Sequence, residues 1–283
     1  MRVAVTGASG FVGQYVLSAL ARRTGIEIVA MTRHHPVPDV GSRIEQVQLD
    51  IDAGATDGYA RLGRPDVLIH LAWGTLPKYK SPLHFENHLV THYRFLKSLV
   101  QAGLPSLLCT GTCFEYGMRS GELLESMQPQ PHNPYAYAKD ALRRQLEFLR
   151  IELPFQLTWA RPFYMFGEGQ SAASLYSLVM AAGKRGEAVF PMSPGDQLRD
   201  YLHVADVARY LVALALDAPG SGIVNICSGK PVAVRTLVEG WLRQNGWRMS
   251  LELGRFPYPD YEPLAFWGSA ARLSVVLASR PAP

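Results

Sequence analysis

A tyrosine and a lysine stand four residues apart in Pro134-Tyr135-Ala136-Tyr137-Ala138-Lys139. On a helix, positions i and i+4 share one face, so Tyr135 and Lys139 point the same way and Tyr137 points elsewhere. A free phenol titrates at about 10, too high for proton exchange at neutral pH. A nearby ammonium favours the phenolate and would lower that value, making Tyr135 a candidate general acid towards a carbonyl oxygen. The competing reading of the pair is an ordinary surface contact. A second chemical feature is Thr110-Gly111-Thr112, which ends the apolar run Leu104–Thr110. A hydroxyl at a strand's carboxyl edge could hydrogen-bond a substrate carbonyl and help polarise it; a threonine that merely caps a strand end is the alternative.

These groups need a reaction partner and elements to aim them. Thr6-Gly7-Ala8-Ser9-Gly10-Phe11-Val12-Gly13 follows the apolar strand Val3-Ala4-Val5 and leads into an amphipathic run from Phe11 to Leu20. Strand, glycine turn and helix are the context of a dinucleotide-binding loop. One glycine allows the tight turn, one lets backbone N–H groups approach a pyrophosphate, and one lets helix and strand pack closely. The helix N-terminus then faces the phosphate charge. Twenty residues past Gly13, the strand Ile28-Val29-Ala30-Met31-Thr32 ends in Arg33. NAD enzymes place an acidic residue there for the ribose 2′-OH, whereas an arginine accepts a 2′-phosphate. The expectation is therefore NADP(H) over NAD(H), with NAD(H) still possible; a solvated arginine after a strand is the plainer alternative. A last feature is Gln197-Leu198-Arg199-Asp200-Tyr201-Leu202-His203-Val204-Ala205-Asp206-Val207. Arg199 could clamp a diphosphate bidentately, Asp206 suits the start of a helix, and His203 reads as a structural hydrogen-bonding group.

The rest of the chain is consistent with such a scaffold. Its 283 residues suffice for one large domain or two intimately joined ones. Hydrophobic and charged contents of 48% and 18% are those of a globular protein. No apolar run reaches a membrane span, and with a strand read at the N-terminus no leader is expected. A cytoplasmic protein without membrane partners is expected. The net charge of +4 is scattered and forms no basic stripe interleaved with aromatics. It suits an anionic small molecule better than nucleic acid. Cys109, Cys113 and Cys227 form neither a disulfide framework nor a metal-ligand pattern.

Strands are expected at Val3–Thr6, Ile26–Thr32, Ile44–Leu49, Val67–Leu71, Leu104–Thr110, Phe155–Ala160 and Ile223–Cys227. Helices are expected at Phe11–Arg22, Phe85–Gln101, Tyr135–Ile151, Ser174–Ala182 with Gly183 as its C-cap, and Val204–Leu216. Arg255–Trp267 reads as irregular packing. The fold class is α/β: a Rossmann doubly wound parallel sheet with a smaller C-terminal substrate-binding lobe. The dinucleotide-binding domain would span 1–162, with 196–228 returning to it, and the lobe 163–195 and 229–283.

Taken in order, these pieces resemble the extended short-chain dehydrogenase/reductase family, the NAD-dependent epimerase/dehydratase group that acts on nucleotide sugars. The resemblance spans nearly the whole chain. Beyond the opening loop it includes Asp50, His70-Leu71-Ala72-Trp73, Asn87-His88-Leu89-Val90-Thr91 and Thr110-Gly111-Thr112-Cys113-Phe114-Glu115-Tyr116-Gly117. It continues through Pro134 to Lys139, Ala160-Arg161-Pro162, Arg199 to Val207 and Val224-Asn225-Ile226-Cys227-Ser228-Gly229.

The resemblance implies a catalytic set of Thr112, Tyr135 and Lys139, with Lys139 also holding the nicotinamide ribose. It implies cofactor contacts from Gly7, Ser9, Gly10, Phe11, Val12, Gly13, Thr32, Arg33, Asp50, Ile51, Leu71, Ala72, Trp73, Thr110 and Pro162, with Asn87 orienting the site. Substrate contacts would come from Thr112, Phe114, Tyr164 and Arg199, the last on the nucleotide diphosphate. A homodimer through the helices Phe85–Gln101 and Tyr135–Ile151 is also implied. Two positions depart from the family pattern: Trp73 replaces a small residue and would narrow the pocket near the nicotinamide, and Tyr164 replaces an Asn that contacts the sugar. The C-terminal lobe is short for the family.

The resulting expectation is an NAD(P)H-dependent 4-ketoreductase of a nucleotide-activated 4-keto-6-deoxyhexose, dTDP-linked by preference. The alternatives are a nucleotide-sugar 4-epimerase with retained NAD and, in a different class, a non-catalytic dinucleotide-binding protein. A 4,6-dehydratase fits less well, because Cys113 and Phe114 stand where its acidic pair would be.

Overall fold

The computed structural model describes residues 1–33, 36–37, 44–54 and 57–278. Its central sheet has seven parallel strands: β1 (Arg2–Thr6), β2 (Glu27–Thr32), β3 (Ile44–Gln48), β4 (Val67–His70), β5 (Ser106–Thr110) and two later strands, Gln156–Pro162 and Gly222–Ile226. Across the sheet they run Gly222–Ile226, Gln156–Pro162, β5, β4, β1, β2, β3. The helices are α1 (Phe11–Ala21), α2 (Gly58–Arg61), α3 (Leu89–Gln101), α4 (Pro134–Glu152), α5 (Leu175–Lys184), α6 (Val204–Leu216), α7 (Val234–Gln244) and α8 (Ala271–Ala278). This is the doubly wound sheet expected from the alternation of apolar runs.

Strands covered on both faces send alternate side chains into opposite layers. Val3 and Val5 join Val16 and Leu20 of α1 and Leu211 of α6 in one core. Ala4, between them, joins Leu96 and Leu99 of α3 and Leu142 and Leu146 of α4 in the other. The strand order reverses between β1 and β4, which opens a crevice at their carboxyl ends. Beyond the main sheet, Tyr164–Phe166 pairs with Leu198–His203, and Val189–Pro191 pairs with Ser250–Glu252. Val179, Phe190, Val238 and Trp241 form a separate apolar cluster there.

Three local expectations are corrected. The helix expected from Phe85 begins as a π-helical turn over His84–His88, and only from Leu89 does it become α-helical. Gly183 is not a C-cap: it lies inside α5, whose C-cap is Arg185, ahead of Gly186 at φ +70°. A β-carbon at Gly183 would stand 2.1 Å from the Trp247 ring, so packing, not chain reversal, requires glycine there. The stretch Arg255–Trp267 is not wholly irregular either, since Phe266–Gly268 pairs in parallel with Gly121–Leu123. Among the described residues no helix is long and apolar enough to cross a membrane.

Gly183→Ala should therefore overpack the α5–Trp247 contact and cost about 1–3 kcal/mol. The expected readout is a lower urea midpoint at unchanged m-value; a wild-type midpoint would refute the packing role.

Candidate active site

The crevice at the switch point holds a cavity of about 310 Å³. Its walls bring together the predicted Gly7, Ser9, Gly10, Thr32, Arg33, Asp50, Ile51, Leu71, Ala72 and Trp73. Gly7 takes φ +67°, and a β-carbon there would lie 2.8 Å from the Ala72 nitrogen. At Gly13 a β-carbon would lie 2.2 Å from the Gly7 carbonyl oxygen. Gly7 thus serves the turn and Gly13 the close packing of α1. Phe11, Val12 and Gly13 stand behind the loop, and Thr110 and Pro162 at neighbouring strand ends; none of these five lines the cavity. Thr6 ties the two strand ends together. Its Oγ1 accepts from Ala72 N at 3.2 Å and contacts His70 Nδ1 at 2.9 Å. Arg33 sits half-exposed at the rim, 3.5 Å from Asp52 Oδ2. An open glycine cradle with a cationic rim fits a dinucleotide.

Asn133 starts α4, its Oδ1 accepting from Ala136 N at 2.9 Å, with Pro134 as the first helical residue. The helix buries Tyr135 and Lys139 on one face, as their spacing predicts. Lys139 is only 2% exposed. Its Nζ donates to the Thr110 carbonyl at 2.8 Å and lies 4.1 Å from the Trp73 ring centroid. Burial lowers its pKa to about 8, against the pull of Cys109 and Glu115.

Burial also pushes the Tyr135 phenol well up, helped by Tyr79, Glu115 and Cys113, while the Thr112 hydroxyl acts the other way. This corrects the expected phenolate. Lys139 Nζ is 6.0 Å from the Tyr135 ring centroid and is committed to Thr110, so desolvation decides the protonation state. Burial therefore keeps the Tyr135 phenol protonated.

Thr112 is held by a residue that the spacing of motifs had set aside. Glu115 Oε1 accepts from Thr112 N at 2.9 Å, and the Thr112 hydroxyl accepts from Phe114 N at 3.3 Å, a reciprocal cap on the 3₁₀ turn Cys113–Tyr116. Glu115 also accepts from Trp159 Nε1 at 3.0 Å and pairs with Arg161 Nε at 2.7 Å. Both side chains of that pair are 0% exposed. Thr112-Cys113-Phe114-Glu115 carries the T-x-x-E capping signature that could have revealed this.

Two of the expected contact residues lie off the cavity walls. Asn87 is exposed on the π-turn and absent from the cavity wall, because the wide turn shifts His84 and His88 inward instead. His88 and His92 line the cavity with Met31, Leu49, Asp52 and Gly74, all missed from sequence. His88 Nε2 meets Thr75 Oγ1 at 2.7 Å, while its buried Nδ1 has no protein partner among the described residues and could be satisfied by a bound ribose or phosphate. Arg199 is engaged within the protein. It is 2% exposed, donates to the carbonyls of Leu198, Pro263 and Leu264, and pairs with Glu262 at 3.1 Å. Tyr164 OH donates to the same Glu262.

A second cavity, about 910 Å³, is lined by Lys78, Tyr79, Tyr164, Phe166, Tyr176, Tyr201 and Trp241 among others. Thr112, Phe114 and Arg199 are not on its wall. Tyr79 joins it to Tyr135, the two rings 5.6 Å apart. Among the described residues no group of three or more His, Cys, Asp or Glu is placed to hold a metal ion.

Glu115→Gln should leave the Arg161 charge buried without a counter-ion and cost about 3–5 kcal/mol. Adding Arg161→Met should recover most of that loss in chemical denaturation. A single variant as stable as wild type would contradict the buried pair.

The geometry can be compared with known proteins. The chain is 29% identical over 272 residues, 95% of its length and 100% of the relative's, to a dTDP-6-deoxy-L-talose 4-dehydrogenase (NAD(+)) of Aggregatibacter actinomycetemcomitans. It is 27% identical over 274 residues, 92% of its length and 83% of the relative's, to a dTDP-6-deoxy-L-talose 4-dehydrogenase (NAD(P)(+)) of Kitasatospora kifunensis. The solved structure of MoeE5 in complex with UDP-glucose and NAD matches with a TM-score of 0.82 at 26% identity, covering 100% of this chain and 94% of that one. A family model matches residues 3–227, the stretch that holds the glycine turn, Thr112, Tyr135 and Lys139. The chain belongs to the NAD dependent epimerase/dehydratase family.

Proposed function

We propose that this chain is an NAD(P)H-dependent 4-ketoreductase of a nucleotide-activated 4-keto-6-deoxyhexose, with a dTDP-linked sugar favoured. One observation carries the reading: a buried, neutral Tyr135 phenol between the two cavities, 6.3 Å from Trp73 of the first and 5.6 Å from Tyr79 of the second, ring to ring. Reduction of a ketone needs a proton for the new alkoxide, and a phenol kept protonated by burial supplies one. Two relatives are named for oxidation at C4 of a dTDP-6-deoxysugar, which is the same step in reverse.

When bound, the nicotinamide supplies the hydride to C4. Tyr135 gives its proton to the C4 oxygen. The Thr112 hydroxyl, its backbone fixed by Glu115, hydrogen-bonds that oxygen as charge develops. Lys139, charged below about 8, steadies the tyrosinate that remains and holds the nicotinamide ribose. Arg33, at the rim of the first cavity, would meet the 2′ position of an adenosine ribose, which favours NADP(H). Pairing with Asp52 also satisfies it without a phosphate, so NAD(H) is admitted.

Residues 1–162 with 196–228 serve as the dinucleotide-binding domain, and 163–195 with 229–283 as the substrate lobe. The protein works in the cytoplasm as a homodimer, joined through the outer faces of α3 and α4, where Val90, Tyr137, Phe148 and Ile151 are exposed.

The second reading, a 4-epimerase with retained NAD, draws on the likeness to MoeE5 with UDP-glucose and NAD. The two separate on denaturation: stoichiometric NAD released from the purified protein favours the epimerase.

The direct test is NADPH and NADH oxidation against a panel of 4-keto-6-deoxy nucleotide sugars, with product stereochemistry read by NMR. Tyr135→Phe should lower turnover by roughly 10²–10⁴-fold; wild-type turnover would sink the assignment. Because Lys139 titrates at about 8, its charge is lost as pH rises through that value. Turnover should fall along an alkaline limb near pH 8, and Lys139→Arg, charged throughout, should remove that limb from whatever activity it keeps.

A further inference from the structure

Glu115 gives its two carboxylate oxygens to different partners. Oε1 accepts from Thr112 N at 2.9 Å and from Trp159 Nε1 at 3.0 Å. Oε2 pairs with Arg161 Nε at 2.7 Å, with the indole nitrogen 3.2 Å away. Trp159 and Arg161 stand two residues apart on the strand Gln156–Pro162, so their side chains leave the same face of the sheet. The adjoining backbone clears the way. Gly111 N donates to Ala160 O at 2.6 Å, and a β-carbon on Gly111 would stand 2.2 Å from Glu115 Oε1 and 2.3 Å from Trp159 Nε1. The carboxylate reaches the start of the 3₁₀ turn because position 111 has no side chain.

Stability alone does not account for this arrangement. A buried ion pair loses about as much in hydration as it regains in attraction, and apolar side chains of similar size would serve the core as well. What the pair adds is aim. Thr112, the N-cap of the turn, has extended backbone at φ −158° and ψ 149°, and the Glu115 carboxylate fixes it there. Its Oγ1 accepts from Phe114 N at 3.3 Å. A hydroxyl whose oxygen takes that bond still has its one hydrogen to donate, and this hydroxyl bears on the Tyr135 phenol. The rest of the turn is pinned as well: Gln130 N donates to Glu115 O at 2.9 Å, and Tyr116 OH donates to Asn225 Oδ1 at 2.7 Å.

We propose that Glu115 is a positioning residue for the Thr112 hydroxyl. Oε1 sets the backbone from which that hydroxyl is aimed at the substrate oxygen beside Tyr135, and Arg161, on Oε2, keeps the carboxylate in place. Two oxygens with different partners make the two tasks separable. An amide at position 115 keeps the Oε1 acceptor and gives up the charge, whereas an aliphatic side chain gives up both. The inference rests on the reading of Thr112 and Tyr135 as reacting groups.

A double-mutant cycle tests it, read on turnover of the full chain with NADPH and a 4-keto-6-deoxy nucleotide sugar that wild type reduces. Glu115→Gln/Arg161→Met and Glu115→Leu/Arg161→Met both remove the buried charges. The glutamine pair should keep most of the wild-type kcat. The leucine pair should lose about 10-fold or more in kcat, with KM and NADPH affinity within about 2-fold of wild type. Beside Thr112→Val that further loss should vanish, because a group that acts through the hydroxyl then has nothing to aim. A leucine pair with wild-type kcat, or with a loss that persists in full beside Thr112→Val, overturns the positioning role. If the leucine pair does not fold, Trp159→Phe removes one donor from Oε1 and reads the same coupling. Wild-type kcat in that variant, or a loss that persists beside Thr112→Val, again overturns the role. Thr112→Val with wild-type turnover overturns the reading of Thr112 itself, and this inference with it.

Discussion

The site is organised around a charge taken out of water. An ammonium group in a protein interior is costly unless it is paired or hydrogen-bonded. Lys139 is satisfied by the Thr110 carbonyl at the end of β5 and by the face of Trp73. Both partners come from the carboxyl ends of neighbouring strands, because β4 and β5 pair in register from Val67–Ser106 to His70–Cys109. The cap at Asn133 fixes where α4 begins and hence which turn faces the sheet. Strand register, helix start and an aromatic at position 73 must agree before the lysine can be buried at all. The same closure that lowers the lysine raises the tyrosine, so one act of desolvation sets both acid–base groups.

A second ordered network lies beneath the cofactor cavity. Thr6, held by Ala72 N, meets His70 Nδ1, and His70 Nε2 meets His92 Nδ1 at 2.9 Å. Burial drives His70 down to about 3, with Lys139 adding to the effect. The imidazoles near Lys139 stay neutral across the physiological range, so they shape and polarise the wall without adding positive charge beside the lysine. The histidines at 84, 88 and 92 repeat every four residues, a pattern that could pass for a surface stripe on an ordinary helix.

What the sequence made legible were features with local causes. The glycine turn, the parallel strands and the shared face of Tyr135 and Lys139 follow from chain geometry within a few residues. The residues it hid depend on distant partners. Arg199 is taken up by carbonyls at Pro263 and Leu264, and its fate turns on how a segment sixty residues later folds back. Gly183 must lack a side chain because of Trp247, three residues past the end of α7. The phenol's protonation depends on how closely Tyr79 and Phe114 shut out water, and spacing along one helix cannot reveal that.

The wide turn at His84–His88 has a consequence for how such sites diverge. A π-turn is an α-helix carrying one extra residue. Removing one residue here would restore the regular winding and rotate everything before it by about 100° about the axis, swinging Asn87 and the imidazoles to different bearings. The bearings of His84, Asn87 and His88 are thus tied to the width of this one turn.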